Sequence, residues 1–158
     1  MSTARREYFL LIVGLILLIV TGASVYYIQR APNRSRDIAQ VTQLVTTFGA
    51  SQKSISPVGP ATSTSHDIQS GYGPLVTSQL LEQWEADPAH APGRLTSSPW
   101  PERIVIDSIS PQGAGYSVSG HTIMTSETGE SSQVPVVMLV VRENAEWKIA
   151  VYQEATPL

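Results

Sequence analysis

Between Glu102 and Glu154, apolar and polar positions alternate with a period of two, and turn-prone residues cut the alternation into four runs. These runs are Glu102–Ser110, Tyr116–Thr125, Gln133–Glu143 and Glu146–Glu154. β-Branched and aromatic residues dominate each of them, which favours strands. Pro111-Gln112-Gly113, Glu127-Thr128-Gly129-Glu130 and Asn144-Ala145 separate them. Connections this short join only antiparallel neighbours, because a parallel pair needs a crossover of a dozen residues or more. A four-stranded meander is expected.

The last hairpin admits a register. A two-residue turn at Asn144-Ala145 sets Val140 opposite Ile149 and Met138 opposite Val151, with Trp147 beside Arg142. The other face then carries Val137, Leu139 and Val141 against Tyr152, Ala150 and Lys148. The third run is thus apolar on both faces, as a central strand under long loops would be, or as a strand with helices on one face and a partner on the other. Val137, Leu139, Val141 and Tyr152 are the candidate association face.

Upstream the period changes. Ile38, Val41, Leu44, Val45 and Phe48 fall on one stripe of an amphipathic helix that Ser35 can cap and Asp37 favours in its first turn. Residues 49–71 are rich in Ser, Thr, Pro and Gly, and read as a mobile connector. Thr77 is a plausible N-cap for a short helix, Ser78 to Ala86, with Leu80, Leu81 and Trp84 on its buried side; Asp87-Pro88 ends it. The segment from Ala91 to Pro101 then leads into the first strand. Pro99 and Pro101 hold Trp100 extended, so its indole is expected to plug a defined position between helix and sheet.

One uncharged stretch has neither period. Tyr8 to Ile28 is 21 residues long, enough for the ~30 Å hydrocarbon core at ~1.5 Å per residue. Tyr8, Tyr26 and Tyr27 lie near its ends, where aromatic rings favour the interface. The apolar run continues past the small residues Thr21-Gly22-Ala23, which favours a retained span over a cleaved leader. The domain plan is therefore a membrane anchor over 1–30 (span about 8–28), a juxtamembrane linker over 31–36, and an α+β domain over 37–158 containing the connector at about 49–71. Two arginines precede the span and three follow it, so charge alone does not orient it.

Charge and composition then exclude function classes. From Asp37 onward five Lys/Arg stand against twelve Asp/Glu, a net of −7, which disfavours a nucleic-acid partner. The chain has no cysteine, which removes disulfides, thiolate catalysis and Cys-ligated metals. His66, His90 and His121 lack ligand-spaced neighbours, so no metal site is expected. No phosphate loop and no nucleophile elbow is present, and no cofactor or catalytic residue is assigned. Asp107 and His121 sit in neighbouring strands and are expected to form a solvated surface pair. Arg94 and Arg103 flank Trp100 and suit an anion, or bonding of the loop itself. With Tyr72 as a possible cavity aromatic, Tyr72, Arg94, Trp100 and Arg103 are the candidate binding residues.

Two or three helices followed by a curved four-stranded antiparallel sheet, behind one membrane span, resembles the cone-shaped α+β superfamily of nuclear transport factor and ketosteroid isomerase. The anchored version looks most like the single-pass assembly factors of bacterial type IV secretion and conjugation machines, and also like a broad set of bacterial envelope proteins in which segments similar to Leu80-Leu81-Glu82-Gln83-Trp84, and to Ala91 through Ile104, recur. The resemblance implies a C-terminal domain outside the cytoplasm. It also implies protein–protein association as a homo-oligomer or with an envelope partner. Its alternative implication is a small-ligand binder or a lyase/isomerase-type enzyme that uses the cone cavity.

Overall fold

The structure is a computed structural model that describes residues 34–58 and 61–154. The expected membrane span over 8–28 and the anchor over 1–30 lie outside the described residues. Among the described residues, no helix is long and apolar enough to cross a membrane. The chain divides into two compact units, Met1–Ile38 and Ala39–Leu158. The described part of the first is the opening of a helix; the second holds everything below.

Helix α1 occupies residues 34–51. Val41, Leu44, Val45 and Phe48 form its buried stripe, as the 3.6-residue period requires. Helix α2 is Ala61–Tyr72 and helix α3 is Ser78–Ala86. Thr77 caps α3, its hydroxyl accepting from the Leu80 amide, and Leu80 and Trp84 are buried. A single 3-10 turn, Pro88–His90, follows.

Helix α2 corrects the reading of residues 49–71 as a connector. Thr64, Ile68 and Tyr72 recur at every fourth position and are all buried, so a helix face exists where composition suggested none. Its stripe is short and begins with a threonine, so it carries little apolar signal. Tertiary packing, more than intrinsic propensity, stabilises such a helix. The segment before it is also packed: Ile55 is buried against Gly71, where any Cβ would come within 2.3 Å of the Ile55 Cδ1.

The sheet is a meander in the order β1-β2-β3-β4: Trp100–Gln112, Gly115–Thr125, Ser131–Glu143 and Glu146–Glu154. All neighbours are antiparallel. The β3–β4 turn is the expected Asn144-Ala145 pair, both residues at positive φ as the twist of a tight hairpin demands. Helix α3 is tied to this hairpin through the Ser78 amide, which donates to the Glu143 carboxylate at 3.2 Å. The chain before α3 also adds a short parallel bridge to the free edge of β4. Thr77 N donates to Ile149 O at 2.9 Å, and Ile149 N donates to Leu75 O at 3.0 Å.

A register shift between Leu139 and Val140 corrects the hairpin pairing. Val140 faces Ile149 and Arg142 faces Trp147, as expected, but beyond the bulge Leu139 pairs with Val151 and Met138 with Tyr152. One extra residue on β4 turns every later side chain to the opposite face. Tyr152 therefore lies on the helix side with Met138, not on the candidate association face, and Val151 takes its place outside.

The core lies between that inner face and the helices. Ile104, Tyr116, Val118, Val136, Met138, Val140 and Ile149 are buried from the sheet side. Phe48, Tyr72, Trp84 and Tyr152 meet there as an aromatic cluster, with ring centroids 5.0–6.3 Å apart. These separations and tilted rings suit the aromatic quadrupole. Helix α1 comes close to β1 through Gly49, where a Cβ would lie 2.7 Å from the Ile104 amide nitrogen. The domain is α+β, with three helices against one face of a four-stranded antiparallel sheet.

Candidate functional site

Two surfaces of the domain offer chemistry: a cavity beneath the loop that enters β1, and the sheet face opposite the helices.

The loop from Ala91 to Pro99 is fastened at several points. The Tyr72 hydroxyl donates to the Pro92 carbonyl at 2.5 Å from inside the core. The Arg94 amide donates to the Ile55 carbonyl at 2.7 Å. The Arg94 guanidinium donates to the Thr96 and Ser97 carbonyls at 3.3 and 3.0 Å, and lies 5.5 Å from the centre of the Trp100 ring. Trp100 Nε1 donates to Glu102 at 3.0 Å, and Lys53 bonds the same carboxylate at 2.9 Å. These two donors, Lys53 foremost, hold the Glu102 carboxyl below the usual carboxylate range.

Trp100 is thus half-buried at the first position of β1 and held by polar contacts on an exposed loop. It is not the plug between helix and sheet that its two prolines suggested. Of the candidate binding residues, Arg94 and Trp100 are brought together. Tyr72 is 0% exposed and reaches the same loop from below, while Arg103 is exposed on β1, paired with Ile123.

Beneath this loop is a cavity of about 500 Å³. Pro92, Leu95 and Pro99 roof it, and Gln52 from the turn after α1, with Met124, Val134 and Tyr152 from the sheet, line it. None of Tyr72, Arg94, Trp100 and Arg103 lines it. Tyr72, Arg94 and Trp100 stand among the groups that shape the loop, whereas the lining residues carry almost no sequence signal. Gln52 follows α1 in a turn, and Tyr152 comes inside only because of the β4 bulge.

The polar part of the lining is a short relay. Gln52 Nε2 donates to the Tyr152 hydroxyl at 3.2 Å, and that hydroxyl donates to Glu154 Oε1 at 2.7 Å. Burial, with the Glu154 charge second, pushes the Tyr152 phenol well above its ordinary value. Burial likewise raises Tyr72. Both hydroxyls are therefore neutral donors, not bases, near neutral pH. The other ionisable lining groups are Glu154 and His90, the latter bonded to Asp87 at 2.8 Å; among the described residues no lysine or arginine lines the cavity.

The opposite sheet face has a different character. Val137 is 48% and Val151 38% exposed, with the less exposed Leu139 and Val141 in the same stripe. Beside the stripe, on β1 and β2, lie small hydroxyls: Ser117 opposite Leu139, and Ser119 opposite Val137 with its Oγ 2.8 Å from that of Ser108. Asp107 and His121 meet on this sheet, 3.3 Å apart, with Asp107 more than half exposed. No third ligand joins them: among the described residues no cluster of three or more His, Asp and Glu is placed to hold a metal ion.

No family model matches the chain, and no curated protein matches it. Among solved structures, the chain is similar to a variant of a designed NTF2-like protein. The two share 10% identity over 77% of this chain and 99% of that one, with a TM-score of 0.41.

Proposed function

We propose that this chain is a single-pass membrane protein of the bacterial envelope, whose cone-type α+β domain lies outside the cytoplasm and works by protein–protein association. The contact is the open face of the sheet, centred on Val137, Leu139, Val141 and Val151. The observation that carries the reading is the exposure of Val137 and Val151 on a central and an edge strand whose opposite face buries Val136, Met138, Val140 and Ile149. Apolar side chains gathered on an open sheet face favour a partner. The flanking serines are small and polar, and let a second flat surface approach closely. The uncharged run over 8–28 supports the anchoring, and the orientation follows from the resemblance of the sequence to bacterial envelope proteins stated above.

The packed aromatic cluster of Phe48, Tyr72, Trp84 and Tyr152, and buried polar residues that among the described residues are Gln52, Thr64, Thr77 and Thr122 with no carboxylate or imidazole, favour association over an isomerase-type enzyme. The test uses full-length protein in its native membranes, with a photo-crosslinking residue at Val137 or, as control, at Glu82 on α3. The reading expects the protein to stay with membranes after a carbonate wash and to give a discrete adduct from Val137 alone. Release into the wash, or equal labelling from both positions, would contradict it.

A further inference from the structure

We infer that the segment over 55–58 and the loop over 91–99 together form a lipid-contact surface, which sets Val58 and Leu95 into the headgroup boundary of an anionic bilayer. Val58 is 63% and Leu95 59% exposed, more than any other large apolar side chain among the described residues, Val137 included. The two stand on neighbouring stretches of backbone. The Arg94 amide donates to the Ile55 carbonyl at 2.7 Å, and a Cβ on Gly93 would meet Pro57 Cδ at 2.9 Å. Exposed apolar groups gathered in this way mark a contact with protein or with membrane.

The backbone of the loop favours lipid. Water satisfies the carbonyls of an ordinary surface loop, yet four consecutive ones here have partners within the loop itself. The Arg94 guanidinium donates to the Thr96 and Ser97 carbonyls, and the Thr96 hydroxyl lies 3.2 Å from those of Ser98 and Pro99. Pro57 and Pro99 carry no amide hydrogen. A backbone group without a partner is costly in hydrocarbon, so a loop bonded in this way enters the boundary at lower cost. A protein partner can supply donors of its own; lipid tails cannot.

Charge points the same way. From Asp37 onward the chain is strongly acidic, yet three of its five cations, Lys53, Arg94 and Arg103, gather around Trp100 and Glu102. The Trp100 indole is half-buried with Nε1 bonded to Glu102, and such rings settle at headgroup level. Long cationic side chains beside it reach anionic headgroups while their stems stay on apolar surface. The proposed anchor over 8–28 brings the domain to a bilayer, and the inference rests on that part of the proposed function.

The chain has no cysteine, so single fluorescent probes can be attached cleanly. The full chain is reconstituted into phosphatidylcholine vesicles with or without phosphatidylglycerol, carrying a probe at Leu95→Cys or, as control, at Glu82→Cys on α3. Both positions are exposed, so labelling leaves the core intact. A doxyl-labelled lipid is expected to quench the probe at Leu95, more strongly with phosphatidylglycerol present, and to spare the probe at Glu82. Arg103→Gln is expected to lower the ratio of inserted to free loop about fivefold in the anionic vesicles. Leu95→Glu, with the probe moved to Val58→Cys, is expected to abolish quenching there. Sedimentation with the vesicles reports the anchor separately. Protein that sediments but is unquenched at Leu95, or equally quenched at Glu82, would overturn the lipid surface and leave the anchor standing. Protein that fails to sediment would overturn both. A discrete protein adduct from a photo-crosslinker at Leu95 in native membranes, without lipid quenching, would assign the patch to a protein and overturn the inference.

Discussion

The two faces of the sheet are made from the same strands, yet they obey different rules. On the helix side, Tyr116, Val118, Met138, Val140 and Ile149 are all buried, and three helices converge there through Phe48, Tyr72 and Trp84. On the open side, Ser117 and Ser119 of β2 stand opposite Leu139 and Val137 of β3, and Val137 and Val151 are exposed large apolar side chains. A single bulge separates the two inventories at β4: it turns Tyr152 inward to complete the aromatic cluster, and Val151 outward. Stability therefore belongs to one face, and availability to the other.

The largest expected effect comes from the stable face. Phe48→Ala removes the ring that touches Tyr72, Trp84 and Tyr152, and should cost about 3–5 kcal/mol in denaturant melts. Trp100→Ala, on the polar loop, should cost clearly less, about 1–2 kcal/mol, because its indole is only half-buried. Equal costs would mean that the loop is as deeply packed as the helix interface.

Alkaline pH probes the same face. Burial raises Tyr72 and Tyr152 above their ordinary value of 10.0, so the folded state keeps protons that the unfolded chain releases. Stability should be unaffected by these groups below about pH 10 and fall above it, by roughly 1.4 kcal/mol per pH unit for each buried phenol. Melts of the wild type and of Tyr72→Phe between neutral pH and about pH 11 test this. A slope unchanged by the substitution would remove Tyr72 from the account.

The turn that precedes the bulge offers a smaller effect with the opposite sign. Ala145 holds φ at 68°, a left-handed conformation that costs an L-residue about 1–2 kcal/mol. Ala145→Gly should therefore stabilise the domain by about 0.5–1 kcal/mol. Destabilisation would show that the hairpin has another geometry, and with it another register for Tyr152 and Val151.

Much of this architecture is legible in the amino-acid sequence, for physical reasons that can be named. Helix α3 matches the expected Ser78–Ala86 with Thr77 as its cap, because a capping hydroxyl and an apolar stripe are both local signals. Strand β4 matches Glu146–Glu154 for a similar reason: a tight two-residue turn marks its start. The failures share a cause as well. The bulge at Leu139/Val140 has no local marker, so an ideal ladder puts Tyr152 on the wrong face. Helix α2 is read as a connector because Thr64 stands where an apolar residue would announce a stripe. At the cavity, aromatic and charged residues attract attention, yet Trp100 and Arg94 shape the loop, while Gln52 and Met124 form the lining. Lining depends on pairing across about a hundred residues, as between Gln52 and Tyr152, and no window along the chain contains it.

The central claim is that the open sheet face is an association surface and the covered face is the core. Sedimentation of the fragment from Ser35 to Leu158, as wild type and as Leu139→Glu, with circular dichroism of both, tests it most directly. The account predicts a wild type that self-associates or sediments with its envelope partner. It also predicts a mutant that keeps the wild-type spectrum but sediments as a monomer, since the new carboxylate is solvated on an open face and penalised only in a complex. A monomeric wild type that binds nothing, together with a mutant that loses its spectrum, would contradict the account and return Leu139 to the core.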